Sequence, residues 1–396
     1  MAEPKFEGWV GLDANSANGN MKWQTYEAKN WEEEDVDIEI SHCGVCGSDL
    51  HTLRSGWGET PYPAVVGHEI VGKAIRVGKN VKKNIKVGDR VGVGAQSKSC
   101  LKPDCEMCTN DIENHCTNEF VQTYGAKYKD GKTAQGGYAK YWRGNSHFVF
   151  NIPEGVPSEM AAPMLCGGVT TYSPLKQNGC GPGKKVGIVG IGGLGHFGLL
   201  WAKALGADKV YAISRSRSKE EDARKLGADE FIATDEDGAL EKNAGKLDLI
   251  ISTVSSPKMP LGGYLGLLGF KGVFVQLGLP EDPLPSYMAA SLIMKGVSMT
   301  GSLIGSPKEI EEMLQLAADK KVAAWIQERP MKDANQVIQD FEAGKPRYRY
   351  CLTYDLALRL LDEQWFNQEE ESFRSSMSNN EAKMKCEDEC EALLLW

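Results

Sequence analysis

The chain has 396 residues, 41% of them apolar and 25% charged, with a formal net charge of −9. That length exceeds what one hydrophobic core usually fills, so two domains are expected, and the ordinary composition points to a soluble globular fold. Residues 357–396 carry ten acidic and four basic side chains, which leaves the rest nearly neutral; no basic field exists to draw nucleic acid or an anionic membrane.

The opening Met1-Ala2-Glu3-Pro4-Lys5-Phe6-Glu7 lacks the basic and apolar blocks of a signal peptide, and no apolar run is long enough to span a bilayer. A cytoplasmic location is therefore expected, where the eleven cysteines stay reduced and ligate metal more readily than they pair as disulfides. Up to about Pro157 the chain is glycine-rich, with runs such as Pro63-Ala64-Val65-Val66 and Arg90-Val91-Gly92-Val93 that predict short strands and turns. From about Ser158 apolar strands alternate with helical segments. Residues 185–190 read as a buried strand, 196–205 as a helix, and 209–213, 247–252, 272–277 and 297–301 as further strands. Such alternation implies a parallel, doubly wound sheet. Helices over 306–320 and 331–343 and a last strand over 348–354 follow. The acidic tail, 357–396, fits neither pattern. It reads as disordered or as a loosely attached helix, dispensable for activity, with Cys386 and Cys390 as reduced thiols or, at helical spacing, a metal pair.

Two groups of metal-ligand residues stand out. Cys46 lies in Gly44-Val45-Cys46-Gly47-Ser48-Asp49-Leu50-His51, His68 and Glu69 in Gly67-His68-Glu69-Ile70, and Cys166 in Met164-Leu165-Cys166-Gly167-Gly168. Taken alone, Cys166 reads equally as a small core residue. Together, two thiolates and an imidazole suit a catalytic zinc with its fourth position open, which Glu69 would occupy or vacate. Cys100, Cys105, Cys108 and Cys116 form C-x4-C-x2-C-x7-C in a polar, turn-rich segment. Four thiolates close a tetrahedron, so this set predicts a second, structural zinc that pins a lobe too polar to fold alone; disulfides are the alternative.

Gly190-Ile191-Gly192-Gly193-Leu194-Gly195 follows a predicted strand and opens a predicted helix, the setting in which glycines let backbone approach a dinucleotide pyrophosphate. At the end of the next strand an NAD site would carry Asp or Glu for the ribose 2′-hydroxyl. Here stands Ser214-Arg215-Ser216-Arg217-Ser218-Lys219, whose hydroxyls and cations suit a 2′-phosphate and hence NADP(H); a solvated basic start to a helix is the plainer reading. Thr170, one helical turn beyond Cys166, is placed to meet the nicotinamide side of the same pocket. Ser48, two residues beyond a ligand, is placed to accept the proton of a zinc-bound alcohol, or else caps a turn.

From Phe6 to Asp355 these motifs resemble the zinc-containing medium-chain alcohol dehydrogenases, in particular the NADP-dependent branch with the cinnamyl alcohol dehydrogenases. The resemblance implies a GroES-like, mostly-β catalytic domain (1–157, completed by 303–356) and a Rossmann domain (158–302) with a doubly wound parallel sheet. It implies Cys46, His68 and Cys166 as zinc ligands, Glu69 as an alternating fourth, and Asp49 as support for the histidine, although Asp49 also reads as a capping carboxylate. It assigns Ser214, Arg215 and Lys219 to the phosphate, Ser302 and Arg349 to the nicotinamide and phosphates, and continues a proton relay from Ser48 through the cofactor ribose to His51, otherwise a surface histidine. The family usually has two residues between its first two lobe cysteines, where Leu101-Lys102-Pro103-Asp104 stand here. A homodimer, paired through a strand near 297–301, and interconversion of small-molecule alcohols and aldehydes are implied. Trp57 reads as an aromatic pocket wall or a packing residue; His42, His115, His147 and His196 read as structural or surface residues. A polyol dehydrogenase and a catalytically silent NADPH- and zinc-binding sensor are the alternatives.

Overall fold

The computed structural model describes residues 3–354. A hairpin of β1 (Glu7–Val10) and β2 (Lys22–Thr25) leads into β3 (Asp35–Gly44), the strand around which the first half is built. Val36, Ile38 and Ile40 are buried on one face of β3, and Asp35 and Asp37 are buried on the other, held by Lys29 and Arg143, as buried carboxylates require. Helix α1 (Gly47–Leu53), β4 (Ile70–Val77), β5 (Arg90–Val93), β6 (Gln96–Ser99), α2 (Glu106–Thr109), β7 (Phe120–Gln122), β8 (Tyr141–Asn145) and β9 (Val149–Asn151) complete this half. The run 63–66 is not a strand. Ala64 makes a single bridge to Gly11, and the carbonyls of Val65 and Val66 are taken up by the backbone of Gly136 and Tyr138.

Next come α3 (Ser158–Pro163), a π-helical turn (Met164–Gly168) and α4 (Val169–Gln177), followed by β10 (Lys185–Val189), α5 (Gly195–Ala204), β11 (Lys209–Ser214), α6 (Glu220–Lys225), β12 (Glu230–Ala233), α7 (Ala239–Lys242), β13 (Leu247–Ser252), α8 (Leu261–Leu267), β14 (Leu268–Gln276), α9 (Ala290–Ile293) and β15 (Ser298–Gly301). The six strands pair in parallel in the order β12-β11-β10-β13-β14-β15. Strand order reverses between β10 and β13, which opens a crevice at their carboxyl ends. The five expected strands are present, and β12, only four residues long, joins them at the edge.

The chain then returns. Helix α10 (Pro307–Lys320), β16 (Ile326–Pro330), α11 (Ala334–Glu342) and β17 (Arg349–Thr353) follow, and the segment predicted as one helix over 331–343 begins with a tight 3₁₀ turn, Met331–Asp333. Strand β17 pairs antiparallel with the second half of β3 and parallel with β16, giving a sheet ordered β16-β17-β3-β4-β5-β9, with β8 on the first half of β3. Both sheets lie within one contact unit that ends at Thr353. Their largest apolar cluster runs from Val71 and Phe150 of the first sheet through Met164 and Leu165 to Val186 and Ile188 of the second. The π turn is thus the packed link between the halves. No helix among the described residues is long and apolar enough to cross a membrane. The tail 357–396, with Cys386 and Cys390, lies outside the described residues.

Candidate active site

Cys46 is the N-cap residue of α1, and its thiol donates to Ser48 Oγ at 3.6 Å. His68 and Glu69 immediately precede β4, while Cys166 is the central residue of the π turn; such widened turns recur at functional sites. One ligand atom from each of Cys46, His68, Glu69 and Cys166 lies within 4.8 Å of the others, and all four residues are buried. His68 Nε2 has no hydrogen-bond partner. A buried imidazole nitrogen left unsatisfied beside two thiols is the donor set that zinc completes. A hydrogen bond from Cys166, together with His68, holds the Cys46 thiol well below its ordinary range despite burial. Burial pushes His68 down, but the Cys46 sulfur beside it and the nearby carboxylates of Asp49 and Glu69 together outweigh this and raise it to about 9.

Asp49 sits at the third position of α1 and accepts the Cys46 N–H at 2.9 Å, the Gly67 N–H at 3.1 Å and the Tyr138 hydroxyl at 3.0 Å. It caps the start of α1 and ties together the two turns that carry Cys46 and His68. Tyr124 stacks on the His68 ring at 5.0 Å. Glu69 is raised by burial to about 7 against the pull of Arg349, whose Nη2 reaches both carboxylate oxygens at 2.5 Å.

Cys46, His68 and Cys166 line a cleft of about 390 Å³ that is also lined by Thr170, Gly192, Gly193, Leu194, Ser302 and Arg349. Gly190 turns with φ +84° and Gly195 packs so closely that a Cβ would meet the Gly190 carbonyl oxygen at 1.8 Å, and Thr253 Oγ1 donates to the carbonyls of Val189 and Gly190, both at 2.9 Å. The turn lies at the crevice between β10 and β13. Lys219 Nζ donates to the Ile191 carbonyl at 2.7 Å, which brings the basic segment after β11 onto the glycine turn. Ser214 ends β11 and Arg215 is exposed. Arg217 is engaged elsewhere, by Glu220 and Glu236 at 2.7 and 2.5 Å.

In the lobe that contains α2, sulfur–sulfur distances are 3.7 Å for Cys100 and Cys108, 3.8 Å for Cys105 and Cys116, and 3.5 Å for Cys100 and Cys116. Four thiolates around zinc at roughly 2.3 Å stand about 3.8 Å apart, whereas a disulfide would bring a pair to about 2.0 Å. The longer Cys100-to-Cys105 spacing is taken up by Leu101 at φ +47°.

Two family models match the chain: an alcohol dehydrogenase GroES-like domain over residues 32–154 and a zinc-binding dehydrogenase domain over 193–319. The chain is 46% identical over 364 residues to NADP-dependent alcohol dehydrogenase 6 of Saccharomyces cerevisiae, covering 89% of this chain and 97% of the yeast protein. The chain belongs to the zinc-binding alcohol dehydrogenases. A probable mannitol dehydrogenase of Fragaria ananassa is 41% identical over 360 residues, covering 90% of this chain and 97% of the other. A solved cinnamyl alcohol dehydrogenase of Sorghum bicolor superposes with a TM-score of 0.82 at 36% identity, covering 88% of this chain and 98% of that one.

Several cleft residues of this zinc-binding alcohol dehydrogenase carry no motif and escape sequence reasoning. Phe120, Tyr124, Ile304 and Phe341 line the cleft with Trp57, yet each is an ordinary apolar residue in its local pattern. Trp57 is 42% exposed and stacks on His51 at 4.2 Å, so it is a wall rather than a core residue. Of the histidines set aside, His196 is buried beneath the glycine turn with Nδ1 2.8 Å from the Gly193 carbonyl, and His147 pairs with Glu113 at 2.7 Å.

Proposed function

We propose that this chain is a zinc-dependent alcohol dehydrogenase that uses NADP(H) to interconvert small primary alcohols and aldehydes. One observation carries the reading: Cys46, His68 and Cys166 of the buried ligand cluster and Gly192, Gly193 and Leu194 of the glycine turn line the same cleft. On this reading Cys46, His68 and Cys166 hold the catalytic zinc, with Glu69 drawn toward it or toward Arg349, and Cys100, Cys105, Cys108 and Cys116 hold a second zinc. Bound zinc supplies Lewis acidity to the alcohol or aldehyde oxygen, and bound nicotinamide supplies or accepts the hydride. The chain does the rest. Glycine-turn backbone and the N-terminus of α5 receive the pyrophosphate, Ser214, Arg215 and Lys219 receive the 2′-phosphate, and Thr170 and Ser302 flank the nicotinamide. Arg349, which lines the cleft against Gly193, reaches the cofactor phosphates and also anchors Glu69. Ser48 accepts the alcohol proton and His51 passes it to solvent.

Aromatic walls at Trp57, Phe120, Tyr124 and Phe341 favour aromatic or medium-chain substrates. The name of the Fragaria relative keeps a polyol dehydrogenase as the second reading, but such walls offer few partners for a chain of hydroxyls. We further assign residues 1–157 with 303–356 to the catalytic domain and 158–302 to the cofactor domain, place the protein in the cytoplasm, and infer a homodimer. Strand β15 lies at an open sheet edge beside the exposed Met288, Ile293 and Met294, which supports pairing between copies.

A panel of aldehydes and alcohols run with NADPH and NADH, alongside zinc quantification, tests the reading. NADPH-dependent reduction of an aromatic aldehyde that is lost on zinc removal is expected. Equal use of both cofactors would overturn the assignment of Ser214, Arg215 and Lys219, and mannitol oxidation without aldehyde reduction would select the polyol reading.

A further inference from the structure

Helix α1 ends against a carboxylate from the other half of the molecule. The segment after β14 brings Glu281 Oε1 to 2.6 Å from His51 Nδ1, and the same oxygen lies 3.2 Å from Arg54 Nε and 3.0 Å from Arg54 Nη2. Arg54 Nη1 turns the other way, to Glu342 at 3.1 Å. A carboxylate only accepts and a guanidinium only donates. At 2.6 Å His51 Nδ1 must therefore carry the proton that bonds Glu281, and Arg54 Nη2, 3.2 Å from that nitrogen, bonds the shared oxygen instead. Nε2 is then the nitrogen of the neutral ring that keeps its lone pair. Trp57, stacked at 15° to the imidazole, fixes the plane of the ring, and Glu281 fixes which way round it sits.

Gly56 adds an independent observation. A Cβ there would meet Glu281 Oε1 at 2.2 Å, although Gly56 is not among the residues with left-handed backbone, so its smallness makes room for this carboxylate. The bond from His51, with Arg54 beside it, keeps the Glu281 carboxyl below the usual range despite its exposure, so it remains an acceptor.

We propose that Glu281 is a positioning residue for His51, holding Nδ1–H so that Nε2 stands as the nitrogen that takes up the proton released in alcohol oxidation. The inference rests on the Ser48 and His51 relay. A proton taken up at Nε2 gives the imidazolium, the same nitrogen then releases it to solvent, and Nδ1–H and the ionised Glu281 are unchanged.

The test uses ¹⁵N-histidine-labelled, zinc-loaded protein, with His51→Gln identifying the His51 signals. His51 should be the Nδ1–H tautomer in the unmodified protein and shift toward Nε2–H in Glu281→Ala. Chemistry-limited alcohol oxidation should fall about tenfold in Glu281→Ala, with zinc content and NADP⁺ affinity unchanged, and recover when imidazole is added as an external base. Glu281→Gln, whose amide oxygen still accepts Nδ1–H, should retain most of the rate, and Gly56→Ala, which displaces the carboxylate, should lose it. If Ser48→Ala and His51→Gln leave oxidation intact, the relay itself falls. If those two slow it while Glu281→Ala changes neither tautomer nor rate, Glu281 alone is overturned.

Discussion

Glu69 and Arg349 are 280 residues apart in the chain, yet both are buried and joined by two short hydrogen bonds. Neither side chain is stable there alone, because an unpaired buried charge loses its hydration without compensation. Replacing Arg349 with Met is expected to destabilise the zinc-loaded protein by about 3–5 kcal/mol, measured by urea unfolding. His196 makes a second prediction. Burial, with Arg349 nearby, lowers it to about 3 from an ordinary 6.5, so between these values the unfolded chain binds a proton that the folded chain refuses. Its contribution is present above about pH 6.5 and is lost as pH falls toward 3, by about 1.4 kcal/mol per pH unit. His196→Gln should remove that loss, read as a smaller difference in unfolding free energy between about pH 7.5 and about pH 5.5 than the unmodified protein shows. At this scale the sequence was informative where chemistry is local. Cys46, Ser48, Asp49 and His51 share one turn of chain, and four cysteines announce themselves by type. Arg349 as the partner of Glu69 and Glu281 as the partner of His51 were not legible, because the contacts join distant segments whose own patterns are unremarkable.

Helix α10 shows how a single element is set by its first residues. Ser306 Oγ accepts the Glu309 N–H at 3.3 Å, Glu309 Oε2 accepts the Ser306 N–H at 3.0 Å, and Pro307 opens the helix. Ser306→Ala should cost about 1 kcal/mol and lower the thermal midpoint, while Ser306→Asp should largely restore it. This start signal is why the expected 306–320 matches Pro307–Lys320 so closely. The run 63–66 misled for the opposite reason. Ala64, Val65 and Val66 are buried by the fold, but the carbonyls of Val65 and Val66 are satisfied by a loop, and burial alone does not distinguish a strand from a packed loop. Strand β12 was missed because Glu-Phe-Ile-Ala, with a charged residue, three apolar ones and no alternation, is too short to show a repeating pattern. The π turn around Cys166 is likewise silent in the sequence, since nothing in Met-Leu-Cys-Gly-Gly separates it from an ordinary helix.

At the scale of the whole molecule, the four-cysteine lobe is the part least able to hold itself. Cys105 and Cys116 are its buried apolar members, and α2 is four residues long. Metal ligation is therefore expected to supply its folding energy. Chelation should expose the segment 100–118 to protease before the rest of the fold is lost, and Cys105→Ser should lower the zinc content from two to one per chain without touching the Cys46 cluster. A lobe that stays protease-resistant after complete zinc removal would contradict this.

Strand β17 closes the first sheet by pairing Cys351 with Gly44 and Leu352 with Cys43, while the strands between them, β10 to β15, form a sheet of their own. During synthesis the exposed edge of β3 must therefore wait for some three hundred further residues before its partner leaves the ribosome. The middle of the chain can therefore complete its sheet before the first half completes its own. Until β17 arrives, the nascent protein carries an open strand edge at His42 to Gly44, a ready template for wrong pairing with another chain.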